Sequence, residues 1–381
     1  MSADLIFVSA EASGDEMSVD VIREIRKHAP DYHIAAVGGD GLHDVGLTSP
    51  IDVSPLGVVG LIEGLKIYKE VIRIADETVA FIIDENPRAV VLVDSWGFSI
   101  RVAQRLKKQA PHIKVIKLIG PQVWATRPGR AKTLSDCVDH LLCIHAFEVP
   151  FYEPYNLPCT VIGNPALHRL PKGNPQRFRQ EEGLEPDEKV LLVLPGSRSS
   201  EIKKVAPELA RAACLTSEEC QVRTYVLVAH SAETALKSQE LIWPNNTIFF
   251  SDLERKADLM AASTFALACS GTVTTEVAAQ GTPMLVGYKM GWLTWTIAKA
   301  FLLKIQYASL INIALDREAI PEFLQGDLVA DDMATCARAY LESEEQRDVQ
   351  KRDLKKALDK MGWDDAPADE IAAKSILDQI S

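Results

Sequence analysis

The sequence predicts an α/β protein built from two doubly wound domains, each a parallel sheet covered by helices on both faces. The chain has 381 residues, and a size of roughly 100–200 residues per domain suggests two. Short, continuously apolar runs recur along the chain and alternate with segments of helical periodicity, which is typical of strands buried on both faces. A segment rich in Pro, Gly and Asn, Asn164–Glu188, separates these runs into two sets.

The predicted strands of the first set precede this segment. They are Leu5–Ser9, His33–Val37, Ala89–Val93, Lys114–Ile119, His140–Ile144 and Cys159–Ile162. Those of the second set follow it, and they are Lys189–Leu194, Arg223–Ala229, Thr247–Phe250, Phe265–Ala268 and Pro283–Gly287. Ligands of such sheets bind beyond the carboxyl ends of the strands. The expected organisation is an N-terminal domain 1–166, a linker 167–188, a C-terminal domain 189–341 and charged helices over 342–381.

Composition and charge exclude several classes of protein. Lys and Arg number 41 against 53 Asp and Glu, a net charge of −12, which argues against a nucleic-acid partner. The seven cysteines are scattered without a CxxC pair, so neither a metal site nor a disulfide framework is expected, and a reducing cytoplasm fits better. The start of the chain lacks the features of a signal peptide. No run approaches the ~18 apolar residues of a spanning helix.

Two small-residue turns in the second half predict a diphosphate site. They are Leu194-Pro195-Gly196-Ser197-Arg198 and Ser270-Gly271-Thr272, and each lies between a predicted strand and a predicted helix. That arrangement directs backbone N–H groups and the positive end of a helix dipole at one spot.

Three features in and beside these turns each have two explanations. Arg198 can pair bidentately with phosphate oxygens, whereas a surface arginine at a helix start opposes the dipole and needs an anionic partner. The Ser-Gly-Thr turn is also a common helix cap. Glu276, one turn into the next helix, either accepts hydrogen bonds from ribose hydroxyls or only favours the helix dipole.

Polar residues also follow two predicted strands of the first half. Glu11 and Ser13 lie in a turn that is not a dinucleotide fingerprint, and they either bind sugar hydroxyls or belong to an ordinary turn with a serine or aspartate cap. Asp94 ends the strand Ala89–Val93. A carboxylate there can serve as a general base, and the alternative is a helix cap.

Other segments have weaker signals. The loop 120–125, with Arg127 and Arg130 behind it, is expected to line the site, and His145 is expected to be structural. Leu56–Ile74 and Trp292–Ile305 combine apolar residues with Lys, and the latter also with Trp, which suits a membrane surface. Buried helix faces explain both segments better.

Together these segments resemble the lipid-A-disaccharide synthase family. The motifs that carry the resemblance are SAEASGD at 9–15, VGGDGL at 37–42, VVGLIEGL at 58–65, PQVWA at 121–125, LPGSRSSEI at 194–202, ACSGTVTTE at 268–276, GTPMLVGYK at 281–289, LIN at 310–312 and IPEFLQ at 320–325. The family consists of inverting, metal-independent glycosyltransferases of the GT-B architecture, in which two Rossmann-like domains face a cleft.

The resemblance implies a reaction and its substrates. The donor is UDP-2,3-diacylglucosamine, the acceptor is 2,3-diacylglucosamine 1-phosphate, and the products are the β-1,6 disaccharide 1-phosphate and UDP. The reaction needs no cofactor, and the family is peripheral at the cytoplasmic face of the inner membrane. The C-terminal helices are expected to pack on the N-terminal domain of the same chain, or on that of a partner in a swapped homodimer.

The resemblance also assigns site residues. Those implied to hold UDP are Gly196, Ser197, Arg198, Ser270, Gly271, Thr272, Glu276 and Asn312. Glu322 and Gln325 line the donor side, while Glu11, Ser13 and Gly14 face the sugar. The implied catalytic residues are Asp94, Glu11 and Arg198.

One departure concerns the proton acceptor. The family has an acid as the fourth residue of D-x-P-D/E-F, and here the segment is Asp94-Ser95-Trp96-Gly97-Phe98. Because glycine cannot accept a proton, Asp94 or Glu11 must do so. Two alternatives stay open: a divergent GT-B transferase with another acceptor, and a non-catalytic paralogue that binds a UDP-sugar.

Overall fold

The computed structural model describes residues 2–56, 64–228, 232–289, 307–363 and 365–380. The chain divides into two compact units. The first consists of Met1–His168 together with Asp364–Ser381, and the second is Arg169–Trp363.

The first unit contains a six-stranded, wholly parallel sheet. Its strands are β1 (Leu5–Val8), β2 (Ile34–Val37), β3 (Ala89–Val93), β4 (Lys114–Leu118), β5 (His140–Cys143) and β6 (Cys159–Val161). Their order in space is β2-β1-β3-β4-β5-β6. The helices of this unit are α1 (Ala12–His28), α2 (Gly64–Glu85), α3 (Trp96–Gln109), α4 (Arg130–Ser135), α5 (Pro165–His168) and the C-terminal helix Ala368–Ile380.

Alternate residues of the central strands enter two separate cores. Ile6 and Leu92 belong to one apolar cluster, whereas Phe7 and Val91 belong to another. All four side chains are completely buried. The strands are therefore covered on both faces, which explains why they are continuously apolar in sequence.

The C-terminal helix, Ala368–Ile380, completes the second of these cores. Its Ala372 and Ile376 join the cluster that contains Ile22 and Ile25 of α1. The preceding helix, Glu344–Lys360, belongs to the second unit. The chain therefore returns to the first unit only for its last helix.

The second unit contains another six-stranded parallel sheet. Its strands are β7 (Lys189–Leu194), β8 (Val222–Leu227), β9 (Thr247–Phe250), β10 (Phe265–Cys269), β11 (Met284–Tyr288) and β12 (Glu322–Leu324), in the spatial order β12-β11-β10-β7-β8-β9. Its helices are α6 (Pro175–Glu181), α7 (Ser199–Glu219), α8 (Glu233–Lys237), α9 (Lys256–Ala262), α10 (Thr272–Ala279), α11 (Leu310–Leu315), α12 (Ala330–Glu342) and α13 (Glu344–Lys360).

These two sheets confirm the predicted α/β class with two doubly wound halves. The strand β12 has no counterpart among the predicted strands, because three residues that include a glutamate give no periodic signal. The segment predicted as a linker is partly helical. Asn174 caps α6 by accepting a hydrogen bond from the Arg177 N–H at 3.0 Å, and Arg177 pairs with Asp258 of α9.

Candidate functional site

The strand order of the second sheet places two predicted turns side by side. The chain runs from β7 outward to β8 and β9, then returns to the other side of β7 to form β10. The switch in direction between β7 and β10 is where ligands of open α/β sheets bind. The turn 194–198 follows β7 and the turn 270–272 follows β10, and both line one cavity of about 390 Å³.

Gly196 and Arg198 shape the first turn. Gly196 has φ +107°, a conformation that side chains rarely adopt. The backbone N–H of Arg198 donates to Glu201 Oε2 at 3.3 Å and its guanidinium donates to Glu201 Oε1 at 2.9 Å. Glu201 is thus the anionic partner that an arginine at a helix start needs. The Arg198 side chain is 79% exposed, so it is accessible to a ligand in the cavity.

The second turn is held by hydrogen bonds to β11 and to the first turn of α10. The Ser270 N–H donates to the Gly287 carbonyl at 3.0 Å, and the Thr274 hydroxyl donates to the Gly271 carbonyl at 2.7 Å. Gly271 and Thr272 are exposed, at the start of α10. The backbone N–H groups of this first helical turn are therefore presented at the cavity, as an anion site requires.

Glu276 lies in the same cavity and has a basic partner. Its carboxylate is 2.5 Å from the ammonium of Lys256, at the start of α9. Lys256 was not predicted as a site residue, because the charged stretch around it is typical of a solvent-exposed surface. The cavity thus contains two cations and two carboxylates, Arg198 with Glu201 and Lys256 with Glu276, before any anionic ligand binds.

Asn312 and Glu322 do not line this cavity; they brace a turn beside it. The Asn312 amide is fully buried. It donates to Glu322 and to the Ile320 carbonyl, and accepts from the backbone N–H groups of Ala319 and Ile320.

Glu322 in turn accepts hydrogen bonds from the N–H groups of Ala308 and Ser309, at 2.7 and 2.8 Å. The Ser270 hydroxyl lies 3.5 Å from the Ala308 carbonyl, which links this brace to the second turn. Asn312 and Glu322 therefore act on the site through backbone that they hold.

Gln325 differs from these two residues. It follows β12 with a left-handed backbone, φ +56°, and its Nε2 atom is buried without a hydrogen-bond partner among the described residues. A buried amide donor without a partner is costly.

The first sheet has a switch in direction of its own, between β1 and β3. Glu11 directly precedes α1 and follows β1, and its carbonyl accepts from the Gly14 and Asp15 N–H groups. The side chains of Glu11 and Ser13 are exposed. Glu11 lines a cavity of about 640 Å³, and Asp94 does not. Both carboxylates nevertheless follow neighbouring strands at the same edge of the sheet.

Asp15 explains the glycines of VGGDGL, which the sequence alone did not. Its buried carboxylate accepts from the Ser9 hydroxyl at 2.5 Å and from the Gly39 N–H at 3.0 Å. A Cβ atom on Gly38 would lie 2.6 Å from Asp15 Oδ1, and one on Gly41 would lie 2.9 Å from Asp15 Cβ. The glycines therefore let the backbone close on the buried acid.

Asp94 presents its carboxylate to solvent from an unusual backbone. Asp94 and Ser95 are both left-handed, with φ +39° and +38°. The Asp94 carbonyl accepts hydrogen bonds from the Lys117 ammonium and the Ser99 hydroxyl. Its carboxylate makes no hydrogen bond or ion pair with any described residue. Lys117 was not predicted as a site residue, because a lysine within a strand has no distinctive sequence pattern.

Gly97, where the family has an acid, is the second residue of α3. A Cβ added at Gly97 meets no described atom within 4 Å. The absent acid is therefore not excluded by the local packing.

The loop 120–125 packs against the segment 147–152 of the same unit. The Tyr152 hydroxyl donates to the Pro121 carbonyl at 3.3 Å, and Trp124 contacts Phe147 edge to face at 5.3 Å between ring centroids. The Arg130 guanidinium lies 5.0 Å over the Trp96 ring, one residue from the left-handed pair.

His145 and Glu148 form a buried pair beneath this loop. The backbone N–H of His145 donates to Glu148 Oε1 at 2.9 Å. Burial lowers the pKa of His145 to about 4 and raises the pKa of Glu148 to about 7. In the described ranges, no cluster of three His, Cys, Asp or Glu side chains has the arrangement of a metal site.

The predicted membrane segments lie largely outside the described residues. Trp292–Ile305 is wholly outside them, and so is 57–63 of Leu56–Ile74. Among the described helices, none has the length and apolar character needed to span a bilayer.

The sequence matches a family model described as lipid-A-disaccharide synthetase over residues 5–376. A lipid-A-disaccharide synthase from Rhodospirillum centenum is 34% identical over 383 residues, which cover 99% of this chain and 95% of that protein. One from Nitrosococcus oceani is 34% identical over 369 residues, covering 95% and 93%.

Solved structures share the fold at low sequence identity. Acinetobacter baumannii MurG has a TM-score of 0.59 and 12% identity, covering 99% of this chain and all of that one. S. aureus MnaA, solved with UDP, has a TM-score of 0.59 and 10% identity, covering 99% and 96%. The UDP-GlcNAc 2-epimerase of Neisseria meningitidis, bound to UDP-GlcNAc, has 0.55 and 13%, covering 99% of each.

Proposed function

Since this chain belongs to the lipid-A-disaccharide synthetase family, we propose that its second unit binds the UDP-linked donor and that its first unit supplies the proton acceptor. The chain is a glycosyltransferase that makes the lipid A disaccharide. Two finer assignments are part of the proposal. The acceptor, 2,3-diacylglucosamine 1-phosphate, is what the family resemblance implies, and the residues named below are supported by the chemistry at the two switches of strand direction.

The cavity between β7 and β10 is the proposed donor site. Two backbone turns present N–H groups there and Arg198 is exposed beside them. Relatives of the same fold bind UDP or UDP-GlcNAc. The Arg198 end of the pair with Glu201 is solvent-exposed, whereas Glu201 is 15% exposed. An ion pair at the protein surface contributes about 0–1 kcal/mol, so the guanidinium can leave its carboxylate for a diphosphate at little cost. The single observation that carries the proposal is this meeting of both turns at one cavity.

The diphosphate leaves with the electrons of the broken bond. In the proposed step, the 6-hydroxyl oxygen of the acceptor attacks C1 of the donor, the bond from C1 to the phosphate oxygen breaks, and UDP departs. Arg198 and the N–H groups of the two turns stabilise the charge that develops on UDP. Glu276 is proposed to accept hydrogen bonds from the ribose hydroxyls, with Lys256 holding its carboxylate in place.

Asp94 is the proposed acceptor of the hydroxyl proton. Its carboxylate is exposed and free of protein partners in the described part of the chain, and it follows β3 at the switch of the first sheet. Glu11 follows the neighbouring strand and is the second candidate for the same role. Ser13 and Gly14, in the turn that begins at Glu11, are proposed to face the sugar.

The acyl chains of both substrates place the reaction at a lipid surface. We therefore propose peripheral association with the cytoplasmic face of the inner membrane. We also propose a homodimer. In the structure, the C-terminal helix packs on α1 of its own chain.

Disaccharide formation from the two diacyl substrates tests the proposal directly. Wild type should form product and release one UDP per disaccharide. Asp94→Asn should lose about 10²–10⁴-fold in kcat, as removal of a general base does, with UDP binding unchanged. Glu11→Gln is the matched comparison that decides between the two carboxylates. No product at high enzyme concentration, with UDP binding intact, would overturn the transfer reaction and favour a UDP-sugar-binding protein.

A further inference from the structure

Lys117 lies buried beneath the turn that presents Asp94. We propose that its ammonium is a positioning group that holds the backbone of 94–99 and so aims the Asp94 carboxylate at the acceptor hydroxyl. The inference rests on the proposed role of Asp94 as the proton acceptor. Lys117 itself does not touch the reacting atoms.

The surroundings of Lys117 are unusual for a lysine. It is 1% exposed, on β4 in register with Leu92 of β3 and Leu141 of β5. Buried lysines are rare unless they are paired with a charge. Here the Nζ atom donates instead to three backbone carbonyls, those of Asp94 at 2.5 Å, Leu92 at 3.2 Å and Leu118 at 3.4 Å. Three donors thus meet three acceptors at the carboxyl ends of two strands.

The turn held by Lys117 needs such support. Consecutive left-handed residues other than glycine, as at Asp94 and Ser95, persist only where the surroundings fix them. The Ser99 hydroxyl supplies a second restraint, because it lies within hydrogen-bond distance of the carbonyls of both residues, at 2.8 and 2.9 Å. Without the ammonium, the Asp94 carbonyl keeps, of its hydrogen bonds to described residues, the one from Ser99. The turn can then relax toward ordinary backbone angles.

Because Lys117 can lose its charge, the strength with which it holds the turn should depend on pH. Burial lowers the pKa of Lys117 to about 7, and the negative charge of Asp94 acts in the opposite sense. Among the described residues, Asp94 is the charged group whose field acts on Lys117. The register neighbours of Lys117, Leu92 and Leu141, are apolar. Below the pKa, the ammonium has three N–H donors. Above it, the neutral amine has two donors and a lone pair that faces a carbonyl, so the hold on the turn weakens as pH rises.

Hydrogen exchange tests the hold without any need for catalysis. In Lys117→Met, which keeps the length of the side chain but removes its donors, the amides of 94–99 should exchange at least about tenfold faster than in wild type. The matched control is Lys114→Met, on the same strand, whose ammonium donates to the Gln379 carbonyl. It should leave 94–99 unchanged. For a measurement that needs no variant, the exchange of 94–99 in wild type, corrected for intrinsic rates, should accelerate between pH 6 and pH 8.5, while 191–194 should not.

Kinetics test the positioning role. The wild-type rate should fall above pH about 7. At pH 6, Lys117→Met should lower kcat at least about tenfold and leave the KM for the UDP-linked donor unchanged, and its rate should not show the alkaline fall expected of wild type. Unchanged exchange at 94–99 in both experiments would overturn the proposed hold, whatever the activity. Faster exchange with wild-type kcat and pH profile would overturn the positioning role alone. Failure of wild type to make product would instead overturn the proposed function, and the exchange results would still decide the hold.

Discussion

The guanidinium of Arg198 and the carboxylate of Glu201 are joined at 2.9 Å, one turn apart at the start of α7. The pair explains how an arginine can stand at the positive end of a helix without a bound anion. In the proposed donor site, a diphosphate and Glu201 would compete for the same guanidinium. The competition can be measured from both sides.

Arg198→Ala should weaken UDP binding about 10- to 150-fold, because a hydrogen bond to a charged group contributes about 1.5–3 kcal/mol. Glu201→Gln should strengthen UDP binding up to about fivefold, since the ion pair that it removes, solvent-exposed at its Arg198 end, is worth about 0–1 kcal/mol. Calorimetric titration with UDP measures both changes. Arg211→Ala is the control, since Arg211 pairs with Asp331 outside the cavity, and it should leave UDP affinity unchanged. Equal affinity of Arg198→Ala and wild type would remove Arg198 from the donor site.

The buried Asp15 carboxylate gives a second prediction, on stability. In Gly38→Ala, the new Cβ atom would lie 2.5 Å from Ser9 Oγ and 2.6 Å from Asp15 Oδ1. We expect a loss of about 1–3 kcal/mol in the free energy of unfolding, the usual cost of overpacking. Gly129→Ala is the matched control, because its Cβ meets nothing within 4 Å and its φ is −61°. A Gly38→Ala variant as stable as Gly129→Ala, measured by urea unfolding, would contradict this packing.

Much of this architecture was predictable from local patterns. Strands buried on both faces, such as β3 and β7, are visible as continuous apolar runs, and the two phosphate-type turns are visible as small residues directly after them. Their meeting at one cavity depends on strand order, which the sequence does not encode locally. Lys256 and Lys117 were missed for the same reason. What distinguishes them is a partner far away in sequence, Glu276 in one case and the Asp94 carbonyl in the other.

Asn312 and Glu322 show the limit of transferring roles by motif. The motif suggests that Asn312 holds UDP and that Glu322 lines the donor side. In the structure, their hydrogen bonds are made with each other and with the backbone at 308–309 and 319–320. Whether a side chain contacts a ligand or supports the backbone that does so is decided by tertiary hydrogen bonds. Sequence spacing alone does not report them.

The pair His145 and Glu148 predicts how stability depends on pH. Burial raises the pKa of Glu148 to about 7 from its ordinary value of 4.5. The folded state therefore binds a proton that the unfolded state has lost, and stability falls as pH rises from about 4.5 to about 7. His145 has its pKa lowered by burial to about 4 from 6.5. The unfolded state then binds the extra proton, and stability falls as pH decreases from about 6.5 to about 4. The two residues therefore change the stability in opposite directions as pH rises.

The substitution Glu148→Gln separates the contribution of Glu148 from that of His145, because the amide oxygen can still accept the hydrogen bond from the backbone N–H of His145. Relative to wild type, this variant should gain stability progressively between pH 4.5 and 7, by at most about 1.4 kcal/mol per pH unit. Urea unfolding at several pH values measures the difference. A difference that does not change with pH would show that Glu148 is not protonated in the folded protein.

Gly97 allows the missing acid to be put back. If Asp94 accepts the hydroxyl proton in this chain, Gly97→Asp alone should change kcat less than tenfold. In the Asp94→Asn background, which should lack most of the ~10²–10⁴-fold contribution of a general base, Gly97→Asp should restore part of the rate. Gly97→Ala in that background controls for the gain in helix propensity, and it should restore none. An added Cβ meets no described atom within 4 Å, and Gly97 is exposed, so alanine fits and the carboxylate of an aspartate can extend into solvent. Equal rates of disaccharide formation for the two double variants would mean that a carboxylate at 97 does not reach the acceptor hydroxyl in this chain.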